Sequence, residues 1–189
     1  MGKRSNFERK ERDFYPTPYE AVLPLMPHWV GITPGVITFV EPCAGDYSLI
    51  KHIWRASRRN CAWKAFDIEP RDKRIKQKDA LTLVEEDLAT PDTYVDRYDY
   101  IVTNPPWDRK ILHPMIDHFR SLRPTWLLFD ADWMHTKQAS QYLEYCSKIV
   151  SVGRVKWIPD SKMTGKDNCA WYLFEDKKQE TKFYGRERD

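Results

Sequence analysis

Tyr98-Asp99-Tyr100-Ile101-Val102-Thr103-Asn104-Pro105-Pro106-Trp107 is the stretch on which the fold of this 189-residue chain turns. Its first six residues are the β-branched and aromatic run of a buried strand, and the two prolines stop that strand abruptly. A strand that ends this way presents Asn104 at the carboxyl edge of a sheet, where the crevice of an open α/β fold lies.

The tetrapeptide also has a chemical use. A residue before proline is held extended and proline fixes its own φ, so the Asn104 side-chain oxygen and the Pro105 carbonyl form a stiff pair of acceptors, with Pro106 continuing the rigid loop. Two such acceptors facing the N–H bonds of a planar exocyclic amine would localise its delocalised lone pair. Trp107 then offers a flat face on which a base can stack.

Reading outward, the same grammar recurs. Val36 to Val40 predicts a first buried strand, closing on Glu41-Pro42-Cys43-Ala44-Gly45-Asp46. A helix is expected from about Tyr47 to Arg59, with Leu49, Ile50, Ile53 and Trp54 at helical spacing. Ala62 to Ile68 predicts a second strand ending at Asp67-Ile68-Glu69-Pro70, and Asp79-Ala80 follows a short third element. After the tetrapeptide come helix Ile111 to Leu122, strand Trp126 to Ala131, helix Lys137 to Cys146, and strands Lys148 to Ile158 and Cys169 to Phe174 around the polar loop Pro159 to Asn168. Upstream, Tyr15-Pro16-Thr17-Pro18 fixes an extended turn before a short helix, Tyr19 to Met26. The pattern predicts an α/β, Rossmann-like doubly wound sheet, mostly parallel, with an antiparallel C-terminal hairpin strand and helices on both faces.

The length suits one catalytic domain, residues 14–175, between a charged arm, 1–13, and a charged tail, 176–189. Net charge is +3 and the aromatic fraction 14%, more than a bare core needs, which permits a polyanionic partner. The run Arg71 to Lys78 reads either as a solvated surface or as a nucleic-acid contact. Four scattered cysteines and five histidines form no Cys-x-x-Cys or His-Glu-x-x-His set, so reduced thiols and no metal are expected. Cys43 reads as a small filler, Trp126, Trp157 and Trp171 as packing residues, and His113 and His118 as helix residues. A charged N-terminus and no long apolar stretch predict a cytoplasmic protein without membrane insertion, in the host cytoplasm if a phage encodes it.

In order and spacing, Glu41 to Asp46, Asp67, Asp79 and Asn104 to Trp107 resemble class I S-adenosylmethionine-dependent methyltransferases. Within them the chain is similar to compact bacteriophage DNA N6-adenine methyltransferases. The resemblance runs from Phe14-Tyr15-Pro16-Thr17-Pro18 to Asn168-Cys169-Ala170-Trp171-Tyr172-Leu173-Phe174. It implies S-adenosylmethionine as cofactor, S-adenosylhomocysteine as product, and methyl transfer to the exocyclic N6 amine of adenine in DNA.

The same resemblance implies roles for individual positions. Tyr15, Pro16 and Thr17 would close over the methionine end; Glu41, Pro42, Cys43, Ala44, Gly45 and Asp46 would cradle it, with Glu41 and Asp46 near its ammonium. Asp67 would take the ribose hydroxyls, Ile68 would pack on the adenine ring, and Asp79 with Ala80 would meet the adenine amine. Asn104, Pro105, Pro106 and Trp107 would be the catalytic set, and Trp107, Lys162 and Lys166 would touch substrate.

Tyr47 stands where the family often has a second glycine, so a lost affinity or a shifted loop is expected there. Residues between the motifs leave little room for a base-reading module, which points to relaxed specificity, a specificity partner or a homo-oligomer. The open alternatives are RNA adenine or protein glutamine as acceptor, and an inactive binding module of the same fold.

Overall fold

The computed structural model describes residues 14–30, 36–57, 60–89, 98–158 and 165–186. The arm 1–13 and Lys162 lie outside them. Eight strands form one sheet among these residues: β1 (Val36–Glu41), β2 (Asn60–Asp67), β3 (Lys76–Gln77), β4 (Tyr100–Thr103), β5 (Thr125–Asp130), β6 (Cys146–Gly153), β7 (Cys169–Phe174) and β8 (Lys182–Tyr184). Their order is β3-β2-β1-β4-β5-β7-β6-β8. The first five in that order run parallel, β7 is antiparallel to both neighbours, and β8 lies parallel to β6. The chain reverses its direction of winding between β1 and β4, which opens a crevice at their carboxyl ends.

Two apolar layers hold helices to the sheet. Along β5, Trp126 and Leu128 enter one layer, while Leu127 and Phe129 enter the other, as a period of two requires. The first layer takes Leu49, Ile50 and Ile53 of α2 (Ser48–Ala56) and Ala21 and Val22 of α1 (Tyr19–Val22). The second takes Leu112, Met115, Ile116 and Phe119 of α3 (Arg109–Leu122). The result is the doubly wound architecture expected from sequence, with Trp126 and Trp171 fully buried as packing residues.

A buried polar stitch sets the level of β4 against β1. The Thr38 N–H donates to the Asp99 carboxylate at 2.8 Å, and the Asp99 N–H donates to the Thr38 hydroxyl at 2.9 Å. Asn104, just past β4, is thereby placed beside the loop after β1.

Several elements differ from the sequence reading. The helix expected from Tyr19 to Met26 is α only to Val22 and then tightens to a 3₁₀ turn, Leu23–His28. Pro24 and Pro27 lack the N–H groups that an α ladder needs. The helix expected from Lys137 to Cys146 is a 3₁₀ turn, Lys137–Ala139, followed by α4 (Ser140–Leu143). The Tyr145 N–H then closes on the Tyr142 carbonyl, and Cys146 already belongs to β6. β6 stops at Gly153, whose φ of +85° turns the chain well short of Ile158. The charged segment after Phe174 contains β8, docked on β6.

Candidate active site

The loop from β1 into α2 is built by backbone bonds around one carboxylate. Gly45 N–H donates to one oxygen of Asp67 at 2.8 Å, and Glu69 N–H donates to the other at 2.8 Å. Ala44 N–H reaches the Phe66 carbonyl at 2.9 Å, and Arg71 N–H reaches the Gly45 carbonyl at 3.0 Å. Asp67 thus ties the first two strand ends together while each oxygen keeps a lone pair. Gly45 has φ +51°, and a Cβ there would stand 2.7 Å from the Phe14 ring, so the position demands glycine.

Tyr47 adopts φ 72°, the left-handed conformation that glycine would take without cost. Its side chain leaves the crevice. The hydroxyl accepts from the Trp63 indole N–H, and the Arg74 guanidinium covers the ring at 3.9 Å. The loop therefore keeps the shape of a glycine loop. The basic run is largely spent in such internal contacts: Arg74 is also bidentate to Asp72, Lys78 pairs with Asp87 at 2.6 Å, and Arg71 stacks on Phe14 at 3.9 Å.

A cavity of about 680 Å³ opens at the carboxyl ends of β1, β2 and β4. Tyr15, Pro16, Thr17, Glu41, Pro42, Cys43, Ala44, Gly45, Asp46, Asp67, Ile68, Asp79 and Ala80 all line it, together with Asn104 and Pro106. Tyr47 is not among its lining residues, and Pro105 and Trp107 stand outside it. The sequence reading missed Phe14, Ser48, Leu49, Glu69, Arg71, Leu81, Asp108, Ile111 and Met115, which also face it. Ile111 and Met115 were within reach, being four residues apart on the helix that Asp108 caps. The Arg71 stack on Phe14 left no trace in spacing.

Glu41 carries the cavity's distinctive electrostatics. It is 2% exposed, and its Oε2 has no hydrogen-bond partner. Burial, with the carboxylates of Asp67 and Asp46 nearby, holds its carboxyl well above the usual range. Burial and Asp67 likewise push the Cys43 thiol up. Asp46 accepts from Ser48 N–H and Asp79 from Leu81 N–H, each through one oxygen.

At the far wall the Asn104 amide is held at three points. Its nitrogen donates to the Tyr15 carbonyl at 3.3 Å and to the Thr17 hydroxyl at 3.2 Å. Its oxygen accepts from the Trp107 indole N–H at 3.2 Å. Indole N–H is only a donor and a peptide carbonyl only an acceptor, so the amide has one consistent orientation. Both amide hydrogens are used, and one oxygen lone pair remains. Trp107 meets Trp157 edge to face, with centroids 5.6 Å apart and planes at 87°. Gly165 backs that tryptophan: its N–H binds the Val155 carbonyl, and a Cβ on it would lie 3.0 Å from the Trp157 ring. Lys166 follows on the surface.

Fifty-four solved chains match this structure. A candidate class I S-adenosylmethionine-dependent methyltransferase from Listeria monocytogenes aligns over 95% of this chain and 68% of its own, with a TM-score of 0.59 and 10% identity. This is the class I methyltransferase fold. A candidate RNA methyltransferase from Pyrococcus horikoshii shares it over 93% of this chain and 94% of its own, with TM-score 0.54 and 14% identity. The methyltransferase subunit of a type I restriction-modification system from Streptococcus thermophilus shares it over 90% of this chain, which spans 47% of that subunit, with TM-score 0.55 and 11% identity. No protein-family model and no curated protein matches the sequence. Among the described residues no group of three His, Cys, Asp or Glu could hold a metal, and no helix is long and apolar enough to cross a membrane.

Proposed function

We propose that the protein transfers a methyl group from S-adenosylmethionine to the exocyclic N6 amine of adenine in DNA. The observation that carries this reading is the Asn104 amide at the cavity wall, whose two N–H bonds are committed and whose oxygen keeps one lone pair for an incoming donor. A site so arranged receives N–H and repels another acceptor. With the Pro105 carbonyl it would take both hydrogens of an amine, localising the nitrogen lone pair and stabilising positive charge as it develops there.

The cavity fits the donor. A buried carboxylate without a partner is costly and calls for a cation, and Glu41 would meet the cofactor's ammonium group with Asp46 nearby. Asp67 keeps a lone pair on each oxygen for ribose hydroxyls, Ile68, 52% exposed, offers a face to the adenine, and Asp79 has an oxygen for its amine. The bound cofactor supplies an electrophilic methyl group on a sulfonium. The chain's own residues orient the amine and hold water away from it.

Trp107 would stack on a flipped base, and Lys162 and Lys166 would meet the phosphate backbone. The spacing of the motifs leaves little room for a base-reading module between them, so target choice would rest on short loops, a specificity partner or a second copy. The resemblance of the tetrapeptide to adenine-specific enzymes, of bacteriophages in particular, favours DNA.

The test is methyl transfer with labelled cofactor to duplex DNA, single-stranded RNA and protein, followed by digestion and mass spectrometry. N6-methyladenine from DNA is the expected product. Label confined to RNA or to glutamine amides would replace the acceptor, and failure of calorimetry to detect S-adenosylmethionine binding would remove the enzyme reading altogether.

A further inference from the structure

A tryptophan in the fourth position of the acceptor tetrapeptide brings a hydrogen-bond donor that phenylalanine lacks. Here that donor is in use: the Trp107 indole N–H reaches the Asn104 oxygen, while the Tyr15 carbonyl and the Thr17 hydroxyl hold the amide nitrogen. The indole itself is not free to swing, because Trp157 meets it at 87° and Gly165 packs behind Trp157. Through this chain of contacts the loop after β6 fixes the direction of a side chain at the end of β4.

We infer that Trp107 is a positioning residue for Asn104, its indole N–H aiming the one free oxygen lone pair at the substrate amine, in addition to any stacking by its ring. The inference rests on the methyltransferase reading above. It gives Trp157 a purpose that packing alone does not, namely to lock the donor's direction. An N–H drawing on one lone pair leaves the second pointing along a single line, so the acceptor is organised before substrate arrives. The face of the indole and its N–H then act on different quantities. The face contributes to substrate binding, and the N–H to the rate of the bound complex.

The experiment separates them. Trp107 is replaced by 3-benzothienylalanine, a sulfur isostere that keeps the bicyclic face and removes the donor, and in parallel Trp107→Phe and Trp107→Leu are made. The isostere should keep the KM for DNA within about twofold while kcat falls roughly tenfold, about the weight of the one hydrogen bond that preorganises the acceptor. Trp107→Phe should follow the isostere in kcat, and Trp107→Leu should raise KM as well. In the free protein, Asn104→Ala should shift the Trp107 indole proton resonance upfield, a readout that needs no activity. An active wild type whose isostere has unchanged kcat, or an indole resonance indifferent to Asn104, overturns the inference. A wild type that transfers no methyl group to any acceptor overturns instead the function on which it rests.

Discussion

Single side chains in the cavity have opposed duties to stability and to chemistry. Asn104→Ala should lower turnover by roughly 10² to 10³, the usual effect of removing one preorganised polar group, with cofactor affinity unchanged; single-turnover assays and calorimetry check both. Glu41 shows the conflict more directly. Its folded carboxyl titrates above its ordinary range because burial and two neighbouring carboxylates oppose its charge. Below the ordinary carboxyl range the residue is neutral in folded and unfolded chains alike, and the native state bears no penalty. As pH rises from there toward the raised folded value, the unfolded chain ionises first and stability is lost. Glu41→Gln in the cofactor-free protein should therefore match the wild type in Tm near pH 4 and exceed it near pH 8, while binding S-adenosylmethionine at least tenfold more weakly. Thermal melts across pH and calorimetry at one pH would show whether the two effects travel together.

At the level of elements, legibility followed burial. β1, β4, β5 and β7 announce themselves because both faces are covered, and their runs are nearly unbroken in apolar residues. β8 does not, since Lys182 and Phe183 are exposed on a sheet edge and the signal is only three residues long in a charged segment. Most crevice residues were readable because they stand at or just past a strand end, but the three-point hold on Asn104 was not, because its partners depend on how the Tyr15 to Thr17 segment docks. At Tyr47 the local rule holds in the backbone, and the side chain turns away from the cavity. The position does need a left-handed residue, yet the strain, of order 1–2 kcal/mol, is met by contacts to Trp63 and Arg74 on the side away from the cavity. Tyr47→Phe, which strands the Trp63 N–H, should cost about 1 kcal/mol in chemical denaturation and leave cofactor affinity within about twofold. Gly45→Ala should do the reverse of a silent change, since both φ and the Phe14 ring forbid a Cβ, and should weaken both folding and binding.

For the molecule as a whole, modest net charge is divided between cations that hold the fold and cations left for a partner. Arg71, Arg74 and Lys78 belong to the first group. Lys166, beside the Trp157 wall, belongs to the second in the proposed reaction. Lys166→Glu should raise the KM for DNA several-fold at low salt and flatten its salt dependence, whereas Lys73→Glu, at the opposite edge of the sheet, should leave both nearly unchanged. Equal effects of the two reversals would mean that nucleic acid wraps the β3 edge as well. The Asn104 amide takes two of its three supports from residues 89 and 87 positions earlier in the chain. A protease nick just after Thr17 would spare the tetrapeptide, the sheet and most of the cavity wall, and still leave that amide hanging on the Trp107 indole alone once the severed segment departs.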